Sequence, residues 1–180
     1  MKKLTVYILF SLFLISCQKT ERSVGFVTGL DGNEYQYFLG TEDAINVVMK
    51  FDSLSATKNY DEYSTIFADS ASFTYGSGEK NDLSQFIELN KRRDSILIAS
   101  NATMKWDLTY AFSVDIAPNI GGEYVNALYN VSYEDGVNDG KFNANVWFFV
   151  KDGKIINLSQ FNQSVLEEET NNLKLIIKLT

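Results

Sequence analysis

The chain has 180 residues, 45% hydrophobic and 14% aromatic, the composition of one globular domain of ordinary size and not of a disordered segment. Its formal net charge of -7 supplies no basic footprint and argues against nucleic acid as a partner. The absence of histidine excludes Ser-His-Asp and Cys-His nucleophilic chemistry and histidine-based zinc sites; acid–base work falls to Asp, Glu, Tyr or Lys, and no metal or cofactor is implied.

Met1-Lys2-Lys3 is a short basic start, and Leu4 to Ile15 is almost wholly apolar. That run is shorter than the ~20 apolar residues that span a bilayer, and it reads as a secretory signal peptide. Its close, Leu14-Ile15-Ser16-Cys17, resembles the lipobox of bacterial lipoproteins. The resemblance implies cleavage after Ser16 and lipidation of Cys17, which anchors the protein to the outer membrane of the cell envelope. No second cysteine exists to pair with Cys17 in a disulfide. Gln18-Lys19-Thr20-Glu21 resembles the acidic tether that directs some Gram-negative lipoproteins to the cell surface; the periplasmic leaflet is the alternative.

Asp31-Gly32 within residues 25–40 predicts a short extended segment or a hairpin. Thr41 followed by Glu42-Asp43 predicts a helix start, and Ile45, Val48, Met49, Phe51 and Leu54 continue at helical spacing. A second short helix is expected from Tyr60 to Phe67, then a strand from Ala71 to Tyr75 ended by Gly76-Ser77-Gly78. Asn81 or Asp82 caps a third helix, with Leu83, Phe86, Ile87, Ile96 and Leu97 as its buried stripe; Lys91-Arg92-Arg93 within it reads as a solvated face, with a phosphate or lipid-headgroup site as the alternative.

From residue 104 the period changes to two. Met104, Trp106, Leu108, Tyr110, Phe112 and Val114 form one face of a long strand. A second strand runs from Tyr124 to Glu134, with Val125, Ala127, Tyr129, Val131 and Tyr133 on one face, and a third from Lys141 to Lys151. Asp152-Gly153 then predicts a two-residue hairpin turn. Its register places Lys151 opposite Lys154, Val150 opposite Ile155, Phe149 opposite Ile156, Phe148 opposite Asn157 and Trp147 opposite Leu158. Both hairpin faces are apolar, so the second predicts a cover, most simply another copy of the chain as a homodimer; the alternative is the chain's own ends. Leu166 to Leu179 reads as a terminal helix or a last strand.

Helix, helix, short strand, helix and long antiparallel strands ending in Val150-Lys151-Asp152-Gly153-Lys154-Ile155 resemble the SnoaL-like branch of the nuclear transport factor 2-like superfamily. Phe67-Ala68-Asp69 is a further matching step. The resemblance implies an α+β fold, a cone-shaped curved antiparallel sheet wrapped around three N-terminal helices, with an apolar pocket and dimerisation through the outer sheet face. The expected organisation is a signal peptide over 1–16, a lipidated tether and N-terminal extension over 17–40, a SnoaL-like domain over 41–162 and a C-terminal extension over 163–180.

That branch includes isomerases, cyclases, dehydratases and epoxide hydrolases, and two readings stay open for this chain. One is a membrane-anchored, non-catalytic module that binds a small apolar ligand or a protein. Its pocket candidates are Trp106, Tyr110, Tyr129, Trp147 and Phe148. The other is an isomerase- or cyclase-type enzyme with an Asp–Tyr pair in the pocket. Its candidates are Asp107, whose aromatic neighbours would raise its pKa, Tyr110 and Tyr133 as phenolic donors, and Asp69. Alternation sets Asp107 opposite the apolar residues, where solvent exposure is the plainer reading, and Asp69 serves equally well in closing a turn.

Overall fold

The computed structural model describes residues 22–116, 121–137 and 139–165. Cys17, the signal segment and the Leu166–Leu179 tail lie outside the described residues.

Eight strands form one sheet: β1 (Gly25–Thr28), β2 (Glu34–Leu39), β3 (Phe67–Tyr75), β4 (Lys80–Asp82), β5 (Thr103–Asp115), β6 (Glu123–Glu134), β7 (Asp139–Lys151) and β8 (Lys154–Ser164). Their spatial order is β1-β2-β5-β6-β7-β8-β3-β4. All neighbours are antiparallel except β3, which lies parallel to β8. The helices α1 (Glu42–Ala56) and α2 (Leu83–Ala99), with a 3₁₀ helix over Tyr60–Thr65, pack in the concave side of this sheet.

Local chemistry sets the helix boundaries. The Thr41 hydroxyl accepts from the Ala44 amide at 3.4 Å. The Glu123 carboxylate in turn takes the Thr41 amide at 2.6 Å and its hydroxyl at 2.9 Å, fixing the start of α1 to β6. Asp82 and Gln85 form a reciprocal capping box at the start of α2, with bonds of 2.8 and 3.0 Å.

The Asp152-Gly153 turn is present, with φ of 51° and 71°, as a primed two-residue turn requires. Lys151 faces Lys154 and Val150 faces Ile155. Beyond them the register departs from the expected one, because a bulge at Ile156 brings Asn157 opposite Phe149, Leu158 opposite Phe148 and Ser159 opposite Trp147. The inserted residue keeps Ile155 and Leu158 on the same buried face as Phe148 and Val150.

A second irregularity, between Leu108 and Tyr110, divides β5. Met104, Trp106 and Leu108 pack against the core, whereas Tyr110 and Phe112 turn to the convex face. The single apolar face expected for this strand is thus two half-faces, because one extra residue reverses the alternation.

The core is a cluster of aromatic rings. Phe73 stacks on Phe86 at 3.9 Å between centroids and 10° between planes. Phe67 lies 5.1 Å from Phe73, and Phe51 lies 5.4 Å from Phe148. The convex face carries its own smaller group, with Tyr124 on Phe149 at 4.9 Å and Phe112 against Trp147 at 6.3 Å. A side chain at Gly122 would place its Cβ 2.6 Å from Phe149, at a φ of 93°, so glycine is required where β6 begins.

Candidate functional site

The helices do not fill the cone. A cavity of about 650 Å³ opens between the C-terminal half of α1, the length of α2 and the first residues of β5, with β6, β7 and β8 as its floor. This is within the ~300–1,000 Å³ of small-molecule sites. Phe51, Leu97, Met104 and Trp106 provide apolar wall; Asp52, Asn90, Arg93, Asp94 and Tyr129 are among its polar residues.

The polar members arise from a break in pattern on α2. Phe86 is buried, and the positions four and eight residues on, which share its face, are Asn90 and Asp94. Ile96, expected in the buried stripe, is instead 57% exposed. Asn90 donates back to the Phe86 carbonyl at 2.7 Å. Asp94 accepts from the Tyr60 hydroxyl at 2.5 Å and lies 3.7 Å from both Lys58 and Arg93. Burial, and then the bond to Asp94, hold the Tyr60 phenol well above its ordinary pKa.

Asp52 on α1 and Tyr129 on β6 also line the cavity. Burial raises the Asp52 pKa above the ordinary carboxylate value. Burial also raises Tyr129, with the Asp52 charge as the next cause. The Tyr129 hydroxyl is enclosed and has no hydrogen-bond partner among the described residues. Such a group costs about 1–3 kcal/mol until something meets it.

The Asp52 shift has a testable consequence. The native carboxyl holds its proton to higher pH than the unfolded one, so its contribution to stability is greatest below the ordinary value of 3.8 and is lost as pH rises through the native pKa. Asp52→Asn is expected to raise the melting temperature at pH 7 and to leave it unchanged in strong acid. Thermal melts across pH check this, and an equal gain at all pH values would contradict it.

Trp106 and Tyr129 line the cavity, and Tyr110, Trp147 and Phe148 do not. Phe148 is wholly buried in the aromatic core, while Trp147 and Tyr110 lie on the convex face. The fold does not gather Asp107, Tyr110, Tyr133 and Asp69 around the cavity. Asp107 is exposed and paired with Lys105 at 2.7 Å. Tyr133 donates to Asp135 at 3.0 Å, beside a separate shallow hollow. Asp69 is exposed on β3. The carboxylates that do face the cavity are Asp52 and Asp94. Their signal was available: both are acidic residues on helices whose neighbours at helical spacing are core.

Among the described residues no cluster of acidic and sulfur ligands suited to a metal occurs, and no helix is long and apolar enough to cross a membrane. No protein-family model and no curated protein matches the chain. Solved structures do resemble it. An LEH-like epoxide hydrolase of M. tuberculosis superposes with a TM-score of 0.53 at 15% identity, covering 68% of this chain and 84% of that one. A candidate ketosteroid isomerase of Kribbella flavida gives 0.51 at 13% identity, with 79% and 93% covered. An uncharacterised protein of Caulobacter vibrioides with a cystatin-like fold gives 0.53 at 14% identity, with 68% and 89% covered. These likenesses establish the fold as the cone of the nuclear transport factor 2-like proteins.

Proposed function

We propose that the chain is a lipid-anchored protein of the cell envelope whose cone binds a small, mainly apolar molecule without transforming it. The observation that carries this reading is the enclosed Tyr129 hydroxyl, without a hydrogen-bond partner among the described residues, beside a largely apolar cavity of about 650 Å³. A bound ligand with a carbonyl or hydroxyl oxygen, after a small movement of the ring, would accept from Tyr129 while its body displaces water from Trp106 and Phe51. Anchoring through lipidated Cys17 would hold the cone at the membrane. Pairing of two copies across the convex face would cover Tyr110 and Phe112, which are 42% and 45% exposed.

A second reading is favoured by one further observation, the presence of Asp52 and Tyr129 on the same cavity with the carboxyl raised by burial. An isomerase- or cyclase-type enzyme would use Asp52 to take a proton from the carbon next to a carbonyl, and Tyr129 to donate to the oxygen as charge develops there. The epoxide hydrolase and candidate isomerase among the structural neighbours act within the same fold, and fold alone does not transfer their chemistry.

Native mass spectrometry of the full chain, released from membranes of its host, tests the first reading. A small molecule bound one per cone, in a dimer, with palmitate label incorporated by the wild type and absent from Cys17→Ala, is the expected result. An empty monomer without lipid would overturn it. Exchange of a bound ketone's α-protons with deuterated water, lost in Asp52→Asn, would replace it with the second.

A further inference from the structure

The rim of the cavity carries a charge pattern that the apolar reading does not use. Lys58 and Arg93 both border the cavity, and one carboxylate, Asp94, lies between them at 3.7 Å from each. Asp94 is already engaged by the Tyr60 hydroxyl at 2.5 Å. Two cations against one carboxylate leave one positive charge over. Among the described residues Arg93 meets no acceptor at hydrogen-bonding distance, so the planar fork that suits a carboxylate is unused. The third cation of the wall, Lys105, is taken by Asp107 at 2.7 Å. The remaining acid of the lining, Asp52 on α1, forms no ion pair with Lys58 or Arg93.

The backbone at Lys58 points the same way. The amide of Asn59 bonds to the Leu54 carbonyl and that of Lys58 to Ser55, a Schellman end to α1 with Lys58 in the left-handed position at φ 56°. Glycine is the usual residue there, because a Cβ is strained in that conformation. The matching position after α2, with the same two bonds, is Asn101, a residue that tolerates it. A lysine at this place sacrifices stability and sets an ammonium at the cavity rim.

Resting on the binding reading above, we propose that the ligand is an amphipathic organic anion, with an apolar ring or chain in the cavity and a carboxylate seated against Lys58 and Arg93 on the side that Asp94 leaves open. The anion replaces water on the free face of the two cations, and the apolar wall selects for the body behind it.

The test uses the full chain in phosphatidylcholine nanodiscs, with empty nanodiscs as the partition control. The probes are 1-naphthaleneacetate and its neutral amide, measured by equilibrium dialysis. The carboxylate is expected to bind at least tenfold more tightly than the amide. Lys58→Gly is expected to raise the melting temperature, by relieving the left-handed strain, while weakening the carboxylate about threefold to tenfold and leaving the amide unchanged. Arg93→Met, which keeps much of the apolar stem, should act in the same direction on binding. Equal affinity for acid and amide, or a preference that survives both substitutions together, would overturn the anion assignment and leave the cavity reading intact. Binding of neither probe would overturn both.

Discussion

Alanine in place of Phe73 is expected to lower folding stability by about 3–5 kcal/mol, a large share of the ~5–15 kcal/mol that a domain holds. Phe73 is wholly buried, stacked on Phe86 at 3.9 Å and set against Phe67 at 5.1 Å. Those three rings join β3, which holds the only parallel pairing among the described residues, to α2. Truncation removes the transfer energy of the ring and leaves a void that two helices and a sheet cannot close together. Urea unfolding followed by far-UV circular dichroism checks this. A loss below about 1 kcal/mol would mean that the stack is not part of the cooperative core. Since α2 also forms one wall of the cavity, ligand binding should weaken with it.

High pH is expected to unfold the protein cooperatively. Burial holds the Tyr63 phenol up at about 12 against an ordinary 10.0, and raises Tyr60 and Tyr129 in the same direction. Above the ordinary value the unfolded chain releases these protons and the native chain keeps them. Stability is therefore unaffected below that value and falls as pH rises through it. Tyr63 alone withholds about 2 kcal/mol by pH 12. With three such tyrosines against a total of ~5–15 kcal/mol, the midpoint should fall above about pH 11. Phenolate absorbance should rise in step with the loss of circular dichroism; ionisation of all the tyrosines ahead of unfolding would contradict the burial argument. Tyr129→Phe separates the contributions. It removes an enclosed hydroxyl without a partner, and should raise stability at neutral pH by about 1–3 kcal/mol and move the alkaline midpoint upward. A fall in stability would show that the hydroxyl is satisfied in the native protein.

Much of this fold can be read along the chain because its signals are local. Thr41 and Asp82 cap helices through bonds to residues three places on. Asp152-Gly153 turns the chain within two residues. Alternation over Val125 to Val131 marks a strand without reference to its partners. Those features suffice for the element order, and the resemblance of that order to a known family implied the cone.

The bulges at Ile156 and between Leu108 and Tyr110 were not legible in that way. An inserted residue is favoured only when the partner strand and the core behind it demand that Leu158 point inward, or that Tyr110 point out. The alternation of side chains along an isolated strand contains no term for that demand, so Tyr110 reads as a partner of Trp106 until the bulge is seen.

Composition, capping and turn chemistry by themselves determined an α+β chain whose helices precede its long strands and whose last two long strands form a hairpin, since each depends on groups a few bonds apart. That two such helical carboxylates share one cavity with a buried tyrosine was decided by tertiary structure. Asp52, Asp94 and Tyr129 are separated by many residues and three elements, and their common environment exists only once helix and sheet have excluded water between them.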